Sequence, residues 1–189
     1  MNTSELVQWQ LVDESTNTVF PWFTHPMLEV MKTWNLREKR VLEFGGGRST
    51  AWWRSKAKWV TTIEANHEWA YSIASECNRR NLHNGRVYHV GINEGDSQHK
   101  KLYTEAGKDL GPYDIVVVDG ILRLECIEYA LCLPRPLTLI VDNFMQAFVF
   151  MCPAAAEILK PFEGILYVQE NHEDNDGVNK WKTGVWQIK

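Results

Sequence analysis

The chain has 189 residues, a formal net charge of −4 and ordinary globular composition, with 44% hydrophobic and 23% charged residues. That length suits one domain burying roughly 70% of its unfolded surface. The acidic balance, with no Lys/Arg run, gives no electrostatic footprint for nucleic acid, and no apolar run approaches the ~20 residues a membrane-spanning helix needs.

The chain opens MNTSELVQWQ, with neither the basic nor the apolar region of a secretory leader. Asn2-Thr3-Ser4 is a formal glycosylation sequon without a route to use it. An aromatic group follows at Phe20, Trp22, Phe23 and His25, and then a helix is expected at about 26–35, with Pro26 in its first turn. Five short β-rich runs come next: Arg40–Phe44, Trp59–Glu64, Arg86–Val90, Asp114–Asp119 and Leu137–Asp142. RVLEF, DIVVVD and LTLIVD are almost continuously apolar, as parallel strands buried on both faces are. Helices are expected near 50–56, 67–82, 98–108, 122–132 and 145–160, with Pro153 breaking or restarting the last. Ile165–Gln169 and Gly184–Ile188 read as a closing hairpin joined by the polar stretch ENHEDNDGVNK. Strands alternating with helices predict a doubly wound α/β fold, here a mostly parallel sheet with an antiparallel hairpin at its C-terminal edge. Cys77, Cys126, Cys132 and Cys152 form no C-x-x-C pair and no zinc spacing. They read as reduced thiols of a cytoplasmic protein.

The stretch VLEFGGGRST ends the first strand and opens the next helix. Ligands of doubly wound sheets bind beyond the carboxyl ends of strands. Gly45, Gly46 and Gly47 would let a ligand approach the backbone there, with Ser49 or Thr50 capping the helix. Glu64 ends the second strand, where nucleotide-binding folds keep the acid that accepts from ribose hydroxyls. A phosphate loop is excluded, because Arg48 replaces its Lys and its first glycine would fall at Leu42. A dinucleotide fingerprint lacks its third glycine at Thr50. Glu43 would repel a pyrophosphate and suits a nearby cation, such as an ammonium or a sulfonium.

Glu43-x-Gly45-x-Gly47 with Glu64 resembles the class I S-adenosylmethionine (SAM)-dependent methyltransferases. PWFTHPMLEVM, TTIEANHEW, YDIVVVDGILRLEC and RPLTLIVDNF extend the resemblance to a bacterial and phage-type branch of that superfamily, over roughly residues 20–145. The resemblance implies a seven-stranded Rossmann-like sheet, with Gly45–Gly47 against the amino acid part of SAM and Glu43 beneath it. It puts Glu64 on the ribose diol and Ala65 and Asn66 beside the adenine. The third strand leads into VYHVGIN without the usual acid, leaving Asn93 as the substitute.

Methyl transfer to a hydroxyl or amine needs alignment and a proton acceptor. Asp119 and Asp142, ending the fourth and fifth strands, are the candidates, with Arg123 as their partner or as a clamp for an acidic substrate. Asp119, Asp142 and Asn143 would be the oxygen ligands of a divalent metal. The Lys that metal-dependent relatives carry after the first Asp is absent, so no metal is expected. His67, His83, His89, His99 and His172 form no ligand spacing, and HEDNDG fails as a calcium loop. The expectation is a SAM-dependent methyltransferase acting at oxygen on a small molecule, without nucleic acid or membrane partners. The alternatives are a SAM-binding module without catalysis and an NAD-dependent oxidoreductase.

Overall fold

A computed structural model describes residues 12–13, 18–93, 95–144, 152–169 and 181–189. Two short strands, β1 (Val12–Asp13) and β2 (Thr18–Val19), pair antiparallel and lead into α1 (His25–Met31). The main chain of elements follows: β3 (Arg40–Phe44), α2 (Arg48–Lys56), β4 (Trp59–Glu64), α3 (His67–Arg79), β5 (Gly85–His89), α4 (Ser97–Thr104), β6 (Ile115–Val118), α5 (Arg123–Leu131) and β7 (Leu137–Val141). It closes with α6 (Cys152–Leu159), β8 (Glu163–Gln169) and β9 (Trp181–Ile188).

The sheet order is β5-β4-β3-β6-β7-β9-β8. The first five of these strands run parallel, and β9 runs antiparallel to both of its neighbours. The fold is therefore α/β with the expected seven strands and closing hairpin. The antiparallel strand is β9, one place in from the edge, and β8 is outermost.

Alternation along the strands divides the core. Leu42, Phe44, Val116, Val118 and Leu139 face a cluster with Tyr103 of α4, Ile127 of α5 and Leu159 of α6. Val41, Val117 and Ile140 face Met27 and Met31 of α1 and Trp52 and Trp53 of α2. Central strands covered on both faces explain the unbroken apolar runs.

Several boundaries differ from the sequence expectation: α4 ends at Thr104 and β9 begins at Trp181, and the first two helices differ as well. α1 stops at Met31 because the chain turns there, with Thr33 and Trp34 N–H donating to Val30 and Met31 carbonyls. α2 starts at Arg48, so Ser49 and Thr50 lie inside its first turn. The stretch 145–151 and the polar connection 170–180, with His172 and HEDNDG, lie outside the described residues, as does the sequon. Among the described residues no helix is long and apolar enough to cross a membrane.

Candidate functional site

β4 and β5 lie on one side of β3, and β6 and β7 on the other. The carboxyl end of β3 is thus where strand order reverses, and the loops diverging from it open a crevice. Three strand-end loops meet there.

The loop after β3 is held from every side. Gly45 has φ +82°, its N–H donates to the Ile63 carbonyl at 2.9 Å, and a side chain on it would run into the Gly120 backbone. Gly120 is bare for the reciprocal reason, and its N–H donates to the Phe44 carbonyl at 2.8 Å. A Cβ on Gly46 would stand 2.7 Å from Thr62 and 2.8 Å from Ile73. Gly46 N–H donates to Glu64 Oε2 at 2.9 Å, and its carbonyl accepts from Trp69 Nε1 at 2.6 Å. Gly47 is different, because a Cβ there would meet nothing nearer than Trp69 at 3.9 Å. Two of the three glycines are therefore required by close approach of protein to protein, and only Gly47 stands beside open space.

Glu43 is wholly buried behind this loop. Its carboxylate accepts from Ser49 Oγ at 2.6 Å, Thr50 Oγ1 at 2.5 Å and Thr62 Oγ1 at 2.9 Å. Thr50 Oγ1 also accepts the Gly47 N–H at 3.1 Å. Burial pushes the Glu43 carboxyl up to about 7, with the three hydroxyls pulling it back. Ser49 and Thr50 thus anchor Glu43, and Thr50 also caps the helix as expected from sequence, from its third position, by accepting the N–H of the N-cap residue Gly47.

Glu64 sits opposite. Besides the Gly46 N–H it accepts from Asn66 N–H at 2.8 Å, and Asn66 caps α3 through Trp69 N–H at 2.9 Å. Gly45, Gly46, Glu64, Trp69, Asp119 and Gly120 all border a cleft of about 330 Å³. Asp119 reaches it from the end of β6. Burial and the Glu64 charge push its carboxyl up to about 6, against the pull of Arg123.

Arg123 is the first residue of α5 and braces the ends of β6 and β7. Its Nε donates to the Gly120 carbonyl at 2.7 Å. Nη1 donates to the Asp142 carbonyl at 2.5 Å and to Asn143 Oδ1 at 3.1 Å. Nη2 donates to the Asp119 carbonyl at 2.7 Å and to its carboxylate at 3.3 Å. A guanidinium has five N–H donors, so every one is engaged within the protein. That geometry corrects the expectation of a clamp on an acidic substrate.

Asp142 faces away from the cleft. It is buried, accepting from Thr183 Oγ1 at 2.5 Å and from Trp181 Nε1 at 3.2 Å. Thr183 in turn accepts the Thr24 N–H at 3.2 Å, linking the N-terminal segment to this strand end. Burial and Asp119 raise the Asp142 carboxyl well above the usual range. Asp142 and Asn143 are thus engaged by β9 and by Arg123, and among the described residues no group of three His, Cys, Asp or Glu could hold a metal ion.

The adenine-side expectations fare unevenly. Ala65 is half-buried beside Glu64, and its carbonyl lies 3.2 Å from His89 Nε2. Asn93 is exposed and accepts the Gly95 N–H at 3.3 Å, without bordering the cleft. The aromatic group of the N-terminal segment splits: Phe23 is buried under the sheet, while Trp22 is exposed, 5.5 Å from the Arg48 guanidinium. Sequence reasoning missed Gly120 and the clamp on Gly46 by Trp69. The His67–His89 edge contact, with centroids 5.1 Å apart, also had no signal in linear spacing.

The sequence matches no known family and no curated protein. The structure shares its fold with solved structures. It is similar to an rRNA methylase from Streptococcus thermophilus (14% identity, TM-score 0.63, 89% of this chain and 100% of that one). It is similar to a precorrin-6Y C5,15-methyltransferase from Geobacter metallireducens (10% identity, TM-score 0.65, 87% of each chain). A Streptococcus mutans protein in complex with SAH is also similar (10% identity, TM-score 0.60, 87% of this chain and 99% of that one). The fold is that of the class I SAM-dependent methyltransferases.

Proposed function

We propose that this chain is a SAM-dependent methyltransferase. The observation that carries the reading is Glu64. Each of its oxygens accepts one backbone N–H, and it lines a cleft at the switch point of a methyltransferase sheet, facing Asp119. A carboxylate has about four lone-pair positions, so two remain for the hydroxyls of a ribose. The donor set fits SAM, and the cleft volume lies in the range of small-ligand sites.

SAM would bring an electrophilic methyl group bound to a sulfonium. The chain's own residues do the rest. Glu64 holds the ribose diol, and Gly45–Gly47 offer bare backbone to the amino acid part. Ala65 and Asn66 flank the adenine, and Asn93, which does not border the cleft, is the remaining candidate for its edge. Glu43 acts through Ser49, Thr50 and Thr62, fixing the loop from behind. Asp119 accepts the acceptor's proton, and a carboxyl near 6 is ionised at neutral pH while still being a better base than an ordinary aspartate. Arg123 and Asp142 are positioning residues that hold Asp119 and its strand end.

We assign the acceptor as a small molecule methylated at oxygen, because a carboxylate base next to the cleft suits a hydroxyl. A nucleic acid acceptor is the second reading, favoured by the similarity to a protein named as an rRNA methylase. A cytoplasmic setting is supported by free thiols at Cys77, Cys126 and Cys132. Turnover assays with phenolic, catecholic and RNA acceptors separate the two readings. SAM binding without turnover on any acceptor would favour a non-catalytic module, and stabilisation by NAD(H) in place of SAM would favour an oxidoreductase.

A further inference from the structure

A second concavity, of about 530 Å³, opens at the other end of α2. α2 begins beside Gly47 at the rim and ends at Lys56. At 1.5 Å per residue this pocket lies roughly 12 Å below the cleft, at the amino ends of the strands. It shares no residue with the cleft. Phe20, Trp34 and Trp52 form its walls, and Lys32, Arg37 and Lys56 supply three cations. Its described lining contains no carboxylate.

Among the described residues, two of these three cations have no acidic partner. Lys32 does pair with Glu29 at 2.6 Å and lies over the Phe20 ring. The side chains of Arg37 and Lys56 have no ion pair or hydrogen bond among the described residues. The nearby Glu38 is taken by Lys58 at 2.9 Å. Nor is Lys56 needed to close its own helix. The Trp52, Trp53 and Arg54 carbonyls accept from Ser55 Oγ, Ala57 N–H and Asn84 Nδ2. The groove between α4 and α5 is the contrast. It is also lined by three lysines, but Lys100 faces Glu125 and both Lys101 and Lys108 face Glu105.

We infer that this pocket binds a nucleotide. An aromatic wall takes the flat face of a base irrespective of its identity, and an unpaired guanidinium beside an ammonium takes a phosphate. Trp34, half-buried on the turn after α1, is the stacking surface. Arg37 and Lys56, both exposed, are the phosphate ligands. The nucleotide is either free or one unit of an RNA strand, and both present the same ring and phosphate. This inference does not rest on the methyl-transfer reading.

The test is calorimetry at low salt with uridine 5′-monophosphate and with a short oligouridylate, with and without excess S-adenosylhomocysteine. A uridine ligand keeps the probe away from an adenosine site. Saturable binding is expected for at least one probe. It should be unchanged by S-adenosylhomocysteine, and at least about 10-fold weaker in Arg37→Gln/Lys56→Gln. Trp34→Ala should weaken it independently. Binding of both probes assigns a free nucleotide, and binding of the oligouridylate alone assigns a strand. Failure of both to bind, displacement by S-adenosylhomocysteine, or undiminished affinity in the double variant would overturn the proposal.

Discussion

Four acids end strands at the rim, and the fold uses them in two ways. Glu43 and Asp142 turn inward and are answered by neutral donors: three hydroxyls for Glu43, a hydroxyl and an indole for Asp142. They tie elements together. Glu43 joins β3, α2 and β4, and Asp142 joins β7 to β9 and, through Thr183, to Thr24. Glu64 and Asp119 turn toward the cleft and are answered by backbone N–H groups and a guanidinium. A carboxylate at a strand end is therefore not by itself a ligand-binding group. Neighbouring hydroxyls decide, because a buried acid must have its lone pairs met.

That division can be broken most severely at Asp119. Asp119→Asn should lower the methyl-transfer rate by about 10²–10⁴-fold while leaving S-adenosylhomocysteine affinity nearly intact. Asp142→Asn should lower stability far more than rate. In the wild type the rate should rise with pH through about 6, as Asp119 ionises. Equal rate losses in the two variants would erase the distinction.

Glu43 offers the next largest effect. Its carboxyl is raised to about 7 on folding, so the protonated form favours the native state. Its contribution is fully present below the unfolded value near 4.5 and is lost as pH rises through about 7. Urea melts of wild type and Glu43→Gln from pH 4 to 8 should show the stability difference moving by about 3 kcal/mol against the wild type. A flat difference would mean that Glu43 keeps one protonation state throughout.

Within the glycine loop, Gly45→Ala should destabilise by about 2 kcal/mol or more, since it combines positive φ with a backbone collision. Gly47→Ala should stay within about 1 kcal/mol and act mainly on cofactor affinity. Thermal melts with and without S-adenosylhomocysteine separate the two.

Much of this was legible in the chain. The apolar runs gave the strands, and the alternation with helices gave the sheet. Gly45, Gly46, Glu64 and Asp119 border the cleft at these strand ends, while Glu43 lies buried behind the loop. What each does was less visible. Glu43 lies opposite Thr62 in the β3–β4 register, and that pairing, with Ser49 and Thr50, was the signal that it faces inward. Arg123 was recognised as needing an anionic partner, but its acceptors are mostly carbonyls, which no sequence pattern displays. Trp181 and Thr183 reach Asp142 across some 40 residues, through a strand order only the folded sheet defines. The basic pocket under α2 is scattered over three segments, so the absence of a Lys/Arg run concealed it.

The central claim is that Glu64 and the glycine loop form a SAM site, and calorimetry of SAM and S-adenosylhomocysteine tests it most directly. Saturable one-to-one binding is expected in the wild type, weakened about 10-fold or more in Glu64→Gln through loss of charge-assisted hydrogen bonds. Absence of binding by both ligands in folded wild-type protein, or equal affinity in Glu64→Gln, would contradict it.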